Sequence, residues 1–245
     1  MRLGLRSRRY AGRAGAFGGY VDRILGLGPI AYWTMGEASG TTMVDIKGGF
    51  NGAYAAGVTL GNDGVGGVTS AYFNGTPSAY AQVTGAALTN LAAAFAKDEF
   101  TVACWAKVSG AGVWTDSTQR RIVYGEFSVD GANNHFYLRK NTTANQVRCG
   151  RAGTTHRAVD YTTAAPTGWF HIALRSSLSG DSLKLYFNGS EVGTPGTGLL
   201  AISGSLAKFQ VAYTEGAFIW SGYLSHLVIF ARALTAAEIA GAAQV

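Results

Sequence analysis

From Ile30 to Phe230, apolar side chains recur at every second position in run after run, and this period constrains the chain more than any other feature. Successive residues of an extended strand point to opposite faces, so each run can bury one face and wet the other. Runs of this kind cover Ile30–Met35, Ala71–Asn74, Tyr80–Val83, Phe100–Val108, Arg121–Phe127, His135–Leu138, Gln146–Gly150, Trp169–Ser176, Ser182–Asn188, Phe209–Ala212 and Phe218–Phe230, the last with a bend expected near Gly222. Gly48-Gly49, Asn74-Gly75, Asp130-Gly131, Gly180-Asp181 and Asn188-Gly189 separate them, and such pairs supply the positive φ of tight turns. About eleven strands without alternating helices predict antiparallel pairing, an all-β chain folded as a two-sheet antiparallel β-sandwich.

Three helical pieces interrupt the pattern. Val21, Ile24 and Leu25 lie at helical spacing just ahead of Gly28-Pro29, and Ala87–Ala96 sets Leu88, Leu91 and Phe95 on one face. Thr235-x-x-Glu238 is a capping box that predicts a short C-terminal helix through Ile239. No repeat or linker divides residues 29–245. The expected organisation is a basic Gly/Arg-rich arm with a short helix over 1–27 and one β domain over 28–245.

The net charge of +6 belongs to the arm. Residues 1–23 hold six arginines against one acid, a balance of +5, which leaves +1 for the other 222 residues. A nucleic-acid-binding face on the β domain is therefore not expected, although the arm keeps nucleic acid open as a partner. Residues 1–19 carry too few large apolar groups for a core, so they should be flexible when free and ordered where they dock on a neighbour. No stretch has the roughly 18 apolar residues of a membrane span. Glycines and arginines break up the apolar core that an export signal requires, so no membrane partner and no standard export route are expected. Two cysteines, Cys104 and Cys149, make no disulfide framework, and Cys104 reads as a small core residue.

The chemistry-bearing residues form no catalytic set. Retaining glycoside hydrolysis needs two carboxyl groups about 5 Å apart. Asp98 and Glu99 are adjacent and so fall on opposite faces, while Glu126 and Asp130 straddle a turn. His135, His156, His171 and His226 lack metal-ligand spacing, and no glycine-rich phosphate loop opens a helix. No enzyme activity, cofactor or metal is expected. Loop residues Trp114, Asn133, Asn134 and Tyr161 combine rings and amides suited to sugars and are the candidate glycan contacts.

Three sets of segments resemble the laminin-G-like (LamG), concanavalin A-like jelly rolls. The first is Gly28-Pro29-Ile30-Ala31-Tyr32-Trp33-Thr34-Met35-Gly36-Glu37 with Ser39-Gly40-Thr41-Thr42, Asp45 and Asn51-Gly52 behind it. The second joins Phe100-Thr101-Val102 and Trp105-Ala106-Lys107 to Gly168-Trp169-Phe170-His171-Ile172-Ala173 and Leu183-Lys184-Leu185-Tyr186-Phe187-Asn188-Gly189. The third runs from Gly222-Tyr223-Leu224 through Ile229-Phe230 to Arg232-Ala233-Leu234-Thr235-Ala236-Ala237-Glu238-Ile239. The resemblance implies a jelly roll from Gly28 to Ala240, with Trp33, Trp105 and Trp169 bracing it. Hydrolases of the wider fold carry a Glu-x-Asp-x-x-Glu-like run that has no counterpart here. The family's usual ion is calcium, for which Asp45 and Asn51 are early ligand candidates, but Ser225-His226 stand where the family often has Asp-Glu, which argues against a site.

Similar modules with a short arm occur in phage virions. The leading expectation is thus a non-catalytic structural virion protein, a capsid decoration or tail accessory. Arg2, Arg6, Arg8, Arg9 and Arg13 would anchor it to other virion proteins within an oligomeric assembly. The alternative is a carbohydrate-binding adhesin for host-surface glycans.

Overall fold

The computed structural model describes residues 19–127, 134–213 and 218–245. Two antiparallel sheets carry the strands, numbered here in chain order. The first sheet holds β1 (Ala31–Trp33), β4 (Val58–Asn62), β5 (Ser70–Asn74), β7 (Glu99–Val108), β12 (Phe170–Ser177), β13 (Ser182–Phe187), β14 (Ser190–Gly196) and β16 (Ser221–Phe230). Its order is β14-β13-β12-β7-β16-β5-β4, with β1 also paired to β16. The second holds β2 (Thr42–Met43), β3 (Gly52–Tyr54), β6 (Ala81–Val83), β8 (Arg120–Phe127), β9 (His135–Lys140), β10 (Gln146–Ala152), β11 (His156–Thr162) and β15 (Leu206–Val211), ordered β11-β10-β9-β8-β15-β6-β3-β2. Four short helices, α1 (Tyr20–Gly26), α2 (Gly85–Ala94), α3 (Gly112–Thr115) and α4 (Ala236–Ala242), complete the described chain. None is long and apolar enough to cross a membrane.

The inward half of each alternating run fills the space between the sheets. Trp33 from the first sheet stacks on Phe209 from the second, ring centroids 5.2 Å apart, and Phe95, Phe100, Phe127 and Phe136 form a continuous ring cluster beside them. Each such buried side chain contributes roughly 1.5–3 kcal/mol. Cys104 on β7 and Cys149 on β10 lie in opposite sheets as buried free thiols. Asn188-Gly189 has positive φ at both positions (49° and 81°), the geometry of a two-residue hairpin turn, and links β13 to β14.

A second core lies outside the sandwich. Tyr20, Val21 and Ile24 of α1 and Ile239 and Ala242 of α4 pack on Tyr32, Ala103, Trp105, Ala173, Tyr186, Val228 and Phe230, which point outward from the first sheet. Seven residues make too short a helix to persist alone, so α1 owes its structure to this burial. For α4 the capping box is complete: Thr235 Oγ1 accepts from Glu238 N, and Glu238 accepts from Thr235 N.

The bend in the last strand lies beyond Gly222. Ser225 faces Trp105 and Val228 faces Ala103, so β16 holds one extra residue there, a β-bulge. His226 takes the bulge with φ of 54° and joins the outward face. Its Nε2 lies 2.9 Å from the Val65 carbonyl, which can only accept, so Nε2 carries the proton and Nδ1 accepts from the Tyr32 hydroxyl at 2.6 Å. The Trp105 indole donates to Tyr20 Oη, which donates to Ala242 O, both at 2.8 Å. Burial pulls His226 down to about 4, and burial, with His226 beside it, pulls His171 down to about 3.

Candidate functional site

The loop residues singled out from sequence do not converge. Trp114 is fully buried on α3; its indole donates to Pro166 O at 2.8 Å and its ring meets Phe170. Asn134 is also buried, its Oδ1 accepting from Ser203 N at 2.9 Å. Both are structural, which corrects the expectation that they stand exposed at a rim: an indole and an amide whose polar atoms close loops inside the fold cannot face a sugar. Tyr161 sits half-buried on the edge strand β11 against Phe187. Asn133, Asp130 and the arm residues Arg2, Arg6, Arg8, Arg9 and Arg13 lie outside the described residues.

Asp45 and Asn51 are likewise occupied. The Asp45 carboxylate accepts from the backbone N–H groups of Tyr32, Lys47, Gly48 and Phe50 at 2.8–3.1 Å, and Asn51 Oδ1 accepts from Asp45 N at 2.9 Å. They tie the turn behind β1. Among the described residues no three His, Cys, Asp or Glu side chains group so as to hold a metal ion.

The concentrated chemistry lies on the outer face of the second sheet, on β8, β9, β10, β11 and β15. Register sets it out in three rows: Tyr124 opposite Tyr137 opposite Gly150; Glu126 opposite His135 opposite Ala152 opposite His156; and Arg121 opposite Arg139 opposite Arg148 opposite Asp160. Lys208 and Gln210 flank Glu126 and Tyr124 from β15. Gly150 lies under the Tyr137 ring, where a Cβ would overlap it, so glycine lets the tyrosine lie flat across β10.

Stacking organises the patch. The Arg121 guanidinium lies 4.2 Å from the Tyr124 ring centroid, 4.9 Å from Tyr137 and 5.2 Å from Phe218, while Arg139 covers Tyr137 at 4.5 Å. His135, Tyr137 and His156 stack in series at 5.7 and 5.8 Å. The Tyr124 hydroxyl donates to Glu126 at 2.9 Å, and Tyr137 Oη lies 2.9 Å from His156 Nε2. Burial, then the Glu126 carboxylate, pushes the Tyr124 hydroxyl up to about 12, and burial pulls Arg139 down to about 10. His156 is held below the ordinary histidine value by burial and then by Arg139, Arg148 and Arg121. Two buried Arg121 nitrogens, Nε and Nη1, meet no acceptor, and Gln210 Oε1 meets no donor.

From the sequence Glu126, His135 and His156 stand out only as catalytic or metal-ligating candidates, and the arginines and tyrosines around them go unmarked because the inward, apolar half of each strand carries the strand signal. The signal was in the other half: the outward positions of consecutive strands read Arg-Tyr-Glu, His-Tyr-Arg and Arg-Gly instead of small hydroxyls and amides.

Sheet order, the two hydrophobic layers and the C-terminal helix define the class: a lectin-like jelly-roll sandwich. The model of the concanavalin A-like lectin/glucanases superfamily (Laminin_G_3) matches residues 79–240, more than half of the chain, and the chain belongs to that family. Domain 4 of the extracellular arabinanase AbnA from Geobacillus stearothermophilus, solved with arabinotriose, superposes with a TM-score of 0.62 at 18% identity, over 88% of this chain and 98% of that one. The botulinum neurotoxin serotype G binding domain gives 0.66 at 13% identity over 88% of this chain and 50% of its own. A Trypanosoma rangeli sialidase in complex with 2,3-difluorosialic acid gives 0.66 at 16% over 89% and 33%. The chain thus spans about half of the neurotoxin domain and a third of the sialidase, and at these identities the likeness is one of fold. No curated protein matches the chain in sequence.

Proposed function

We propose that this domain binds carbohydrate without cleaving it, through the outer face of the second sheet. The observation that carries the reading is a five-strand patch of rings and planar charged groups, on the face of the sandwich opposite the helix-covered one. Exposed His156 and Phe218 present rings to the C–H faces of a sugar, while Arg, Glu, Asp and Gln side chains present paired donors and acceptors to its hydroxyls. A neighbour of the same fold, covered over 98% of its length, is domain 4 of an extracellular arabinanase solved in complex with arabinotriose, which adds support.

Binding without cleavage is supported by the spacing of the acids. Glu126 and Asp160 lie three strands apart, roughly 14 Å at ordinary strand spacing, and glycosidase carboxylates stand about 5–9.5 Å apart. Titrating the labelled protein with glycans, arabinotriose first, should shift amide resonances of β8–β11. An absence of binding across neutral and acidic glycans, or shifts confined to β7 and β16, would overturn the reading.

The virion placement is proposed alongside it, as an assembly in which the arginine-rich segment anchors the module to a neighbouring subunit. Its support is the charge distribution alone, +5 over the first 23 residues. Deleting residues 1–18 should release the protein from its assembly while leaving glycan binding intact; retention would sink this part.

A further inference from the structure

We infer that the sugar taken by this face is an acidic one, its carboxylate or sulfate seated against Arg121 and Arg139; the inference rests on the glycan reading above and adds the ligand's charge. Four cations (Arg121, Arg139, Arg148, Lys208) and two carboxylates (Glu126, Asp160) share the face. Both carboxylates are already engaged. Asp160 takes two bonds from Arg148, at 2.6 and 2.5 Å, and Glu126 takes Lys208 at 3.0 Å and the Tyr124 hydroxyl at 2.9 Å. Among the described residues, Arg121 and Arg139 have no carboxylate partner. Arg139 meets neutral groups, Asn141 Oδ1 at 3.4 Å and the amide of Gln119.

Arg121 is the stronger indication. It is 9% exposed, yet two of its N–H-bearing nitrogens lack an acceptor. Glu126 acts on it electrostatically but is bonded to Lys208 and Tyr124 instead. A buried cation without a bonded counter-charge is costly, and a ligand's anion would complete the site. The guanidinium is held by three rings, so it is oriented before any ligand arrives, and its planar fork matches the paired oxygens of a carboxylate or sulfate. His156 is held below the ordinary histidine value by burial first and then by Arg139, Arg148 and Arg121, which agrees with a positive field over this face. Single-stranded nucleic acid also offers anions, but it needs open rings for its bases, and Tyr124 and Tyr137 are buried beneath guanidinium groups.

The test is calorimetry on the full chain with matched pairs: oligogalacturonate against its methyl ester, sialyllactose against lactose, a heparin-type oligosaccharide against its desulfated form, and a single-stranded oligonucleotide. At least one acid should bind about tenfold more tightly than its neutral partner, with affinity falling as salt rises. The sialyl and uronate arms report a carboxylate, the heparin arm a sulfate. Arg139→Gln should remove that preference, whereas Lys107→Ala on the opposite face should not, and the wild-type pairs decide the matter even should a variant fail to fold. Equal binding of acid and neutral partners overturns the charge inference and leaves the glycan reading standing. Binding of no sugar overturns the reading itself, and an oligonucleotide bound more tightly than every sugar overturns both.

Discussion

The outward positions of β7, β12 and β16 and those of β8, β9 and β10 obey the same two-residue period, yet they serve opposite ends. On the first sheet Tyr32, Trp105 and His226 are sealed beneath α1 and α4 and their polar atoms bond one another or nearby groups, while buried His171 lies edge-on to Trp105 with its Nδ1 unpartnered. On the second sheet, among the described residues, no helix covers Arg121, His135, Arg139, Arg148 and His156, and two of the arginines are left without a carboxylate. A strand face covered by another element becomes core and contributes stability. An uncovered face rich in rings and charge keeps unsatisfied groups, which cost stability and suit recognition. Substitutions on the two faces should therefore separate folding from binding.

The largest effect is expected where the covering helix is anchored. Tyr20→Ala removes a buried ring and two hydrogen bonds, and should cost about 3–5 kcal/mol, a fall in Tm of about 10 °C by calorimetry. Sugar affinity of the folded fraction should not change; a loss of affinity would join the two faces that the comparison keeps apart.

Acid should act next, and through the same covered face. His171 and His226 titrate near 3 and 4 when folded but near 6.5 when unfolded, so between those values the unfolded chain binds more protons. Their contribution is complete above pH 6.5 and is lost as pH falls, at about 1.4 kcal/mol per pH unit for each histidine. His226→Asn, with a residue that tolerates the left-handed backbone at the bulge, should lower that slope by about 1.4 kcal/mol per pH unit in urea titrations between about pH 6.5 and 4.5, leaving the shares of His171 and His156. An unchanged slope would show that acid acts elsewhere.

The smallest shift, with the sharper meaning, belongs to the open face. Arg121→Met replaces an uncompensated buried cation by an apolar chain of similar length, and should raise stability by about 1 kcal/mol while abolishing glycan binding. A loss of stability instead would make Arg121 a structural residue and weaken the recognition reading.

Most strands were legible because they are interior. β7, β8, β12 and β16 carry dense apolar alternation since a partner sheet covers one side of each. β2, β3, β4, β11 and β14 escaped notice, and four of these five are sheet edges. An edge strand with little to bury carries residues such as His156, Asp160, Glu191 and Pro195, which oppose edge-to-edge pairing and erase the alternating signal. Trp114 shows the converse error: a tryptophan in a turn-rich stretch reads as exposed, and only the fold reveals the pocket between Pro166 and Phe170 that holds it.

By itself the sequence determined the period-two pattern, the Asn188-Gly189 hairpin, the Thr235–Glu238 cap and the gathering of arginines ahead of the domain, because each depends on residues close together along the chain. Tertiary structure alone decided which outward face is closed and which is open, since that depends on where α1 and α4 come to rest. It also decided the meeting of Arg121, Tyr137, Arg148 and His156, which are brought side by side by strand register across stretches of chain that share no local pattern.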